Sequence, residues 1–529
     1  SLRIETSSKM SPLKSLPTKS KPTVAEPSSW RSNFKAPAEN SADEVKRLRS
    51  YHIQLLQTTT GEHDRHEATT TPIFTMPVLE HFKETSIEGT AAFPQYGLLA
   101  GQTDLLNDNG NGEAKSGEKD PRLFFNIAAP SSIFICGSQG SGKSHTLSCL
   151  LENCLSTSDA STLPHPLTGL VFHYDTFISD DGGSPCEAAF LSSNPNISAS
   201  YAGLPNVEIE PLKINQSNLN TKRMLDLMAV KQDDGPIPLY LHAIYRILRE
   251  MRMEQQESGN SFDYGDFKRK VALTPMTPAQ LSPLQQRLDT LESFMPTAQT
   301  KSPQHSRVGV NGRRVYAESG NDWTPKRGRL TIVDLSCPCV TPEGACSLFN
   351  ICLNIFLDQA PSMGRIVALD EAHKYMNASA EASALTETLL STIRLQRHLG
   401  ARIIISTQEP TISPKLLDLS SVTIVHRFTS PEWLRTLEAH LAGAASYAVE
   451  NDEESGEAKK SKKSLSKQIF TDIVKLRVGE ALLFSPTAVT GLEANEKGVR
   501  ELKRLGAAYL KIRVRARLTT DGGKSIMAD

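Results

Sequence analysis

One octapeptide constrains this chain more than any other stretch: Gly137-Ser138-Gln139-Gly140-Ser141-Gly142-Lys143-Ser144. It has the form G-x-x-x-x-G-K-S, the pattern of a phosphate-binding loop. The run Ser132-Ile133-Phe134-Ile135-Cys136 before it is short, apolar and β-branched, which reads as a buried strand. After it, Leu147, Leu150, Leu151, Cys154 and Leu155 recur at helical spacing. Strand, glycine loop and helix therefore follow in the order that the chemistry needs.

The residue types explain themselves. Glycines let the backbone curl until successive N–H groups point at one spot, and the helix behind adds its positive end. Lys143 can reach the β- and γ-phosphates of a nucleotide, and the Ser144 hydroxyl can ligate Mg²⁺. Residues Gly137 to Ser144, with His145 next in the chain, are the expected phosphate-binding set.

Such a loop needs a carboxylate at the end of a neighbouring strand to hold the metal. Asp334 and Asp370 both end apolar runs. Asp370 is favoured because Glu371 follows at once, so the pair can divide two jobs: Asp370 as the anionic metal partner, Glu371 as the group that activates water. Asp334 reads better as a turn residue or helix cap. Gln408 ends the run Arg402 to Thr407 and is expected either to sense the γ-phosphate or to cap a loop. Arg394 and Arg397 lie three apart near a helix end. They fit either surface solubility and dipole matching or an arginine finger inserted into a neighbouring subunit. Asp370-Glu371-Ala372-His373 spells the letters of a helicase box, but no late Q-x-x-G-R-x-x-G-R element accompanies it.

The chain has 529 residues, more than one compact domain usually holds. With 58 basic and 59 acidic side chains it has no global pull toward nucleic acid or membrane. A local basic groove stays possible. Eight scattered cysteines form no C-x-x-C pair, so structural zinc is not expected, and free thiols fit an intracellular compartment, cytoplasmic or nuclear. No secretory signal is visible, and no apolar run approaches the ~20 residues of a membrane span.

Residues 1–40, rich in Ser, Lys, Pro and Thr, are expected to be a disordered tail. Residues 41–120 read as a short helix over 41–57 followed by a linker, with the core beginning near Phe93 or Pro121. The first half of the core covers 121–254 and the second half 329–448, with a partly flexible insertion at 255–328 in which 280–295 alone looks helical. A charged loop at 449–468 and C-terminal strands over 469–529 complete the order. Short apolar strands near 170–175, 330–335, 366–369, 402–407 and 422–426 alternate with helices. That pattern predicts an α/β P-loop fold, a mainly parallel sheet covered by helices on both faces. The segment Leu510 to Leu518 alternates apolar residues with Lys511, Arg513, Arg515 and Arg517, which a strand would place on one face.

Taken together, GSQGSGKSHT, TIVDLS, IVALDEAHKY, IRLQRHLGARIIISTQEP, VGEALLFSPTAVTG and YLKIRVRARLTTDGG resemble the HerA/FtsK superfamily of P-loop ATPases, in its HerA-like branch. The likeness covers about 120–255 and 329–523. It implies an ATP- and Mg²⁺-dependent hydrolase, a homo-oligomeric (hexameric) ring, and movement of double-stranded DNA or another polymer, with no membrane partner. It implies Asp370 as the Walker B aspartate, Glu371 as the catalytic glutamate, Gln408 as sensor, Arg394 or Arg397 acting across a subunit boundary, and a C-terminal strand bracing an adjacent subunit. Residues 1–120 carry too little strand signal for the family's small N-terminal barrel, and Glu409 stands where the family usually has a basic residue. The other reading is a nucleotide-gated scaffold that binds ATP with little turnover and has no polymer substrate.

Overall fold

A computed structural model of the chain describes residues 47, 49–52, 60–85, 91–108, 120–176, 186–193, 206–228, 239–259, 262–300, 306–308, 314–316, 319–359, 363–440, 466–494 and 500–520. The chain divides into two units, Ser1–Thr60 and Gly61–Asp529. In the first, residues 47 and 49–52 are helical and exposed, within the helix expected over 41–57. The tail over 1–40 and most of the charged loop over 449–468 lie outside the described residues.

The second unit is built on one large sheet. Its strands in chain order are β1 (Ile73–Thr75), β2 (Tyr96–Gln102), β3 (Arg122–Asn126), β4 (Ser132–Cys136), β5 (Ser161–Thr162), β6 (Thr168–His173), β9 (Leu330–Asp334), β10 (Arg365–Leu369), β11 (Ala401–Thr407), β12 (Val422–Val425), β13 (Glu480–Phe484), β14 (Val489–Ala494), β15 (Arg500–Arg504) and β16 (Leu510–Val514). A separate hairpin joins β7 (Ser306–Val308) to β8 (Arg314–Tyr316). The spatial order is β15-β14-β1-β3-β2-β16-β13-β12-β4-β11-β10-β6-β9, with β5 beside β2.

From β12 to β9 every pairing is parallel. These strands are apolar throughout because helices cover both faces. In β4, Phe134 and Cys136 enter one core while Ile133 and Ile135 enter the other. In β11, Ile403 and Ile405 go one way and Ile404 the other. The period-two alternation of a strand thus feeds two cores at once. Helix α1 (Lys143–Leu155) supplies Leu147, Leu150, Leu151 and Cys154 to the second core. Helices α2 (Leu239–Ser258), α3 (Tyr264–Leu273), α4 (Pro278–Ser293), α5 (Pro342–Asp358) and α6 (Ala380–Arg394) feed the first. Each buried large apolar side chain contributes roughly 1.5–3 kcal/mol. No described helix is long and apolar enough to cross a membrane.

Two expectations are corrected. Residues 41–120 hold more than a helix and linker. Strands β1 and β2 belong to the main sheet, where Phe74, Val78, Phe82 and Phe93 form a small core with Phe124 and Val489. The local pattern is faint because β1 has three residues, too few to show a period. Its partners are β3 and the late strand β14. The stretch 255–328 is likewise no loose insertion in its helical part. Tyr264, Phe267, Val271, Leu284, Leu288 and Leu291 are buried in the first core. Those apolar residues are spaced for helices but diluted among charged ones, so composition hides them.

Candidate active site

Parallel strands bring their C-terminal ends to one side of the sheet, the side where ligands of open α/β sheets bind. Register places Cys136, the last residue of β4, beside Thr407 of β11, and Leu369 of β10 beside Ile405. The phosphate loop, the acid pair and Gln408 therefore leave three neighbouring strands together, with β11 lying between the other two.

The loop is shaped by its glycines. Gly137, Gly140 and Gly142 have φ of 151°, 70° and 110°, where side chains are rarely tolerated. Ser138 anchors the loop by donating from N and Oγ to the Arg427 carbonyl at 2.9 and 2.8 Å. None of the described hydrogen bonds takes up the N–H of Gly140 or Gly142, so these donors can serve an anion. Gln139 and Gly140 are exposed at the tip. Lys143 is buried, and its ammonium donates to the Ser138 carbonyl at 3.1 Å. Burial lowers its pKa, while the nearby Glu371 and Asp370 carboxylates oppose that shift. Lysine and acid pair thus share one electrostatic neighbourhood. Ser144, one residue into α1, is partly exposed. The His145 Nε2 contacts the Arg515 carbonyl at 2.8 Å, so its ring is engaged with the C-terminal segment.

Asp370 is 2% exposed, and its Oδ1 has no hydrogen-bond partner. An orphaned buried carboxylate oxygen fits a site for a hydrated cation, so these residues suit Mg²⁺. Glu371 has φ 46° and ψ 44°, a left-handed conformation rare for residues other than glycine. Strain of that kind costs about 1–3 kcal/mol and persists where surroundings enforce it. It turns the Glu371 carboxylate toward Gln408, whose Nε2 donates to Oε2 at 3.0 Å. His373 Nδ1 lies 3.5 Å from the same Oε2 and accepts from the Gln408 N–H at 3.4 Å. Burial lowers the His373 pKa, with Glu371 and Glu409 opposing. Asp334 ends β9, beyond β6 in the sheet, and accepts from the Ser336 N–H at 2.9 Å, the turn geometry expected of it.

Arg394 and Arg397 are exposed and stand just before β11, at the end opposite Gln408. Seven residues of strand separate them from Gln408, about 20 Å at the usual rise per residue. They do not join their own chain's site. The C-terminal cations are also settled within the chain. Lys511 and Arg513 pair with Glu480 at 3.8 and 2.9 Å, Arg515 pairs with Glu152 at 2.8 Å, and Arg517 pairs with Glu187. The strand stops at Val514, and beyond it Arg515 reaches back to the Cys149 carbonyl of the protein's own α1.

Sequence reasoning missed four side chains. His426 follows β12, is fully buried, and bonds Thr146 Oγ1 at 2.9 Å and the Glu480 carbonyl at 3.0 Å. Burial pushes its pKa down to about 4, so the ring is neutral. A polar residue at the end of a buried strand was the available signal. His373 sat inside the acid motif. His173 and Cys186, which flank Asp370 Oδ2 at 3.7 Å each, share no motif with it.

The arrangement defines a class: an α/β P-loop NTPase fold, with the phosphate loop, the acid pair and Gln408 leaving the ends of three neighbouring parallel strands. No protein-family model matches the sequence, and no curated protein does. Among solved structures, the chain is similar to VirB4 of Thermoanaerobacter pseudethanolicus, with 12% identity, a TM-score of 0.43, and coverage of 79% of this chain and 96% of that one. It is also similar to the plasmid coupling protein TrwB in complex with ADP and Mg²⁺, at 12% identity, a TM-score of 0.36, and coverage of 83% and 98%. A third is the genome packaging NTPase B204 from Sulfolobus turreted icosahedral virus 2 in complex with AMP, at 13% identity, a TM-score of 0.20, and coverage of 34% and 68%.

Proposed function

We propose that this chain is a Mg²⁺-dependent ATPase that works in a homo-oligomer and couples hydrolysis to movement of nucleic acid. The observation that supports it best is the convergence of Lys143, Asp370, Glu371 and Gln408 at the ends of three neighbouring strands.

Each residue then has a task. The loop N–H groups and Lys143 bind the phosphates and offset charge on the transferring group. Ser144 and Asp370 would hold Mg²⁺, which supplies charge neutralisation to the β- and γ-phosphates when bound. Glu371 accepts the proton of the attacking water, and Gln408 holds that carboxylate in place. Arg394 or Arg397, too far from its own site, would complete a neighbour's. The polymer rests on the motif resemblance, because the C-terminal cations are already paired with the chain's own carboxylates.

The test is ATP turnover with and without duplex DNA across a salt series. The expected result is hydrolysis abolished by Lys143→Ala, and stimulation by duplex that fades as salt rises. Tight nucleotide binding with negligible turnover and no response to DNA would overturn the motor reading and favour a nucleotide-gated scaffold.

A further inference from the structure

His173 ends β6, Cys186 stands just before the 3₁₀ helix Glu187–Ser193, and Asp370 follows β10 beside them. One ligand atom from each lies within 4.8 Å of the others, and all three residues are buried. His173 is 6% exposed, yet neither ring nitrogen has a hydrogen-bond partner. A buried imidazole with both nitrogens unsatisfied is costly and calls for an occupant.

The separations suit a soft or borderline metal. Sγ to Oδ2 and Nδ1 to Oδ2 are both 3.7 Å. Bond lengths of about 2.3 Å to sulfur and 2.0–2.2 Å to nitrogen or oxygen put tetrahedral neighbours roughly 3.3–3.7 Å apart. Thiolate with imidazole selects Zn²⁺-class ions over Mg²⁺. We propose that His173, Cys186 and Asp370 form a binding site for a thiophilic divalent cation such as Zn²⁺.

An occupied site would engage Asp370 and so weaken Mg²⁺-nucleotide binding. That consequence rests on the ATPase reading, whereas the binding itself does not.

Cobalt(II) makes the test visible, because thiolate ligation gives an intense charge-transfer band. The full chain would carry Cys337→Ser and Cys339→Ser, since these two thiols are exposed. The expected result, without nucleotide, is one Co²⁺ per chain with that band, displaced by Zn²⁺. Cys186→Ser should abolish the band, and Cys346→Ser, another buried thiol, should keep it. His173→Gln should weaken binding by at least about 10–100-fold, the range that even outer partners of a metal command. It decides the matter if the serine variant fails to fold. No band in the parent protein, or a full band in Cys186→Ser, overturns the site whether or not ATP is hydrolysed.

Discussion

The Gln408 amide donates to the Glu371 carboxylate at 3.0 Å, joining the ends of β11 and β10. Glu371 is in a left-handed conformation that its own residue type does not favour, and the Gln408 amide holds its carboxylate in one direction. Gln408→Ala should lower kcat on the order of 10–100-fold and leave nucleotide affinity nearly unchanged. Glu371→Gln should cost more, within the ~10²–10⁴ range of a general base. Steady-state turnover set beside titration with a fluorescent ATP analogue separates the two effects. A Gln408→Ala protein with weakened binding and normal kcat would make Gln408 a loop cap and nothing more.

The phosphate loop meets His426 closely. A Cβ added at Gly137 would lie 2.7 Å from the His426 Cβ, and φ there is 151°. Gly137→Ala therefore has two costs, a strained backbone at about 1–3 kcal/mol and displacement of a buried ring. Nucleotide binding should be lost and thermal stability reduced. Gly140→Ala differs, because nothing lies within 4 Å of its Cβ and only the φ of 70° opposes it. Its melting temperature should fall less. Equal losses in both variants, by calorimetry, would contradict the close packing at His426.

Strands buried on both faces were readable almost to the residue: the run expected at 422–426 is β12 at Val422–Val425, and the run expected at 366–369 is β10 at Arg365–Leu369. The loop and acid pair were readable because their chemistry fixes residue types at fixed spacings. What stayed hidden depends on partners distant in the chain. Cys186 and Asp370 are 184 residues apart, and no local pattern links them. β1 takes its identity from β3 and β14 rather than from its own three residues. The arginines of the C-terminal segment looked like one charged face, but alternation ends with the strand, and beyond Val514 the carboxylates of Glu152 and Glu187 fix their positions.

Glu152 is the chief of those acids. It is 2% exposed and accepts from Arg515, from the N–H groups of Leu518 and Thr519, and from the Thr519 hydroxyl. Burial pushes its pKa up, but the Thr519 hydroxyl, Arg515 and the Leu518 N–H prevail, and the net shift is downward from 4.5. A carboxyl depressed by folding contributes stability that is full above the unfolded value and is lost as pH falls through the folded value. Denaturation midpoints should therefore decline below about pH 4.3, and Glu152→Gln should flatten that decline. The same variant should be less stable at neutral pH by about 3–5 kcal/mol, because it leaves the buried Arg515 without its counter-charge. An unchanged acid limb in Glu152→Gln would assign the acid sensitivity to other carboxylates.

Arg394 and Arg397 lead to the strictest test of oligomeric catalysis. Both are exposed, and neither appears in the described ion pairs. β11 separates them from the site of their own chain. If one of them completes a neighbour's site, its alanine variant should lose ~10³-fold or more in turnover while ATP affinity and melting temperature hold. Lys143→Ala should be equally inactive for a different reason, since it damages the subunit's own phosphate loop. Mixed and allowed to exchange, the two inactive proteins should regain activity. Where an arginine-deficient subunit supplies the loop and a Lys143→Ala subunit supplies the arginine, an intact loop meets an intact arginine. Testing Arg394→Ala and Arg397→Ala separately identifies the finger. Turnover retained in both single variants, or no recovery in a mixture shown to exchange subunits, would confine catalysis to one chain and make the two arginines surface charges.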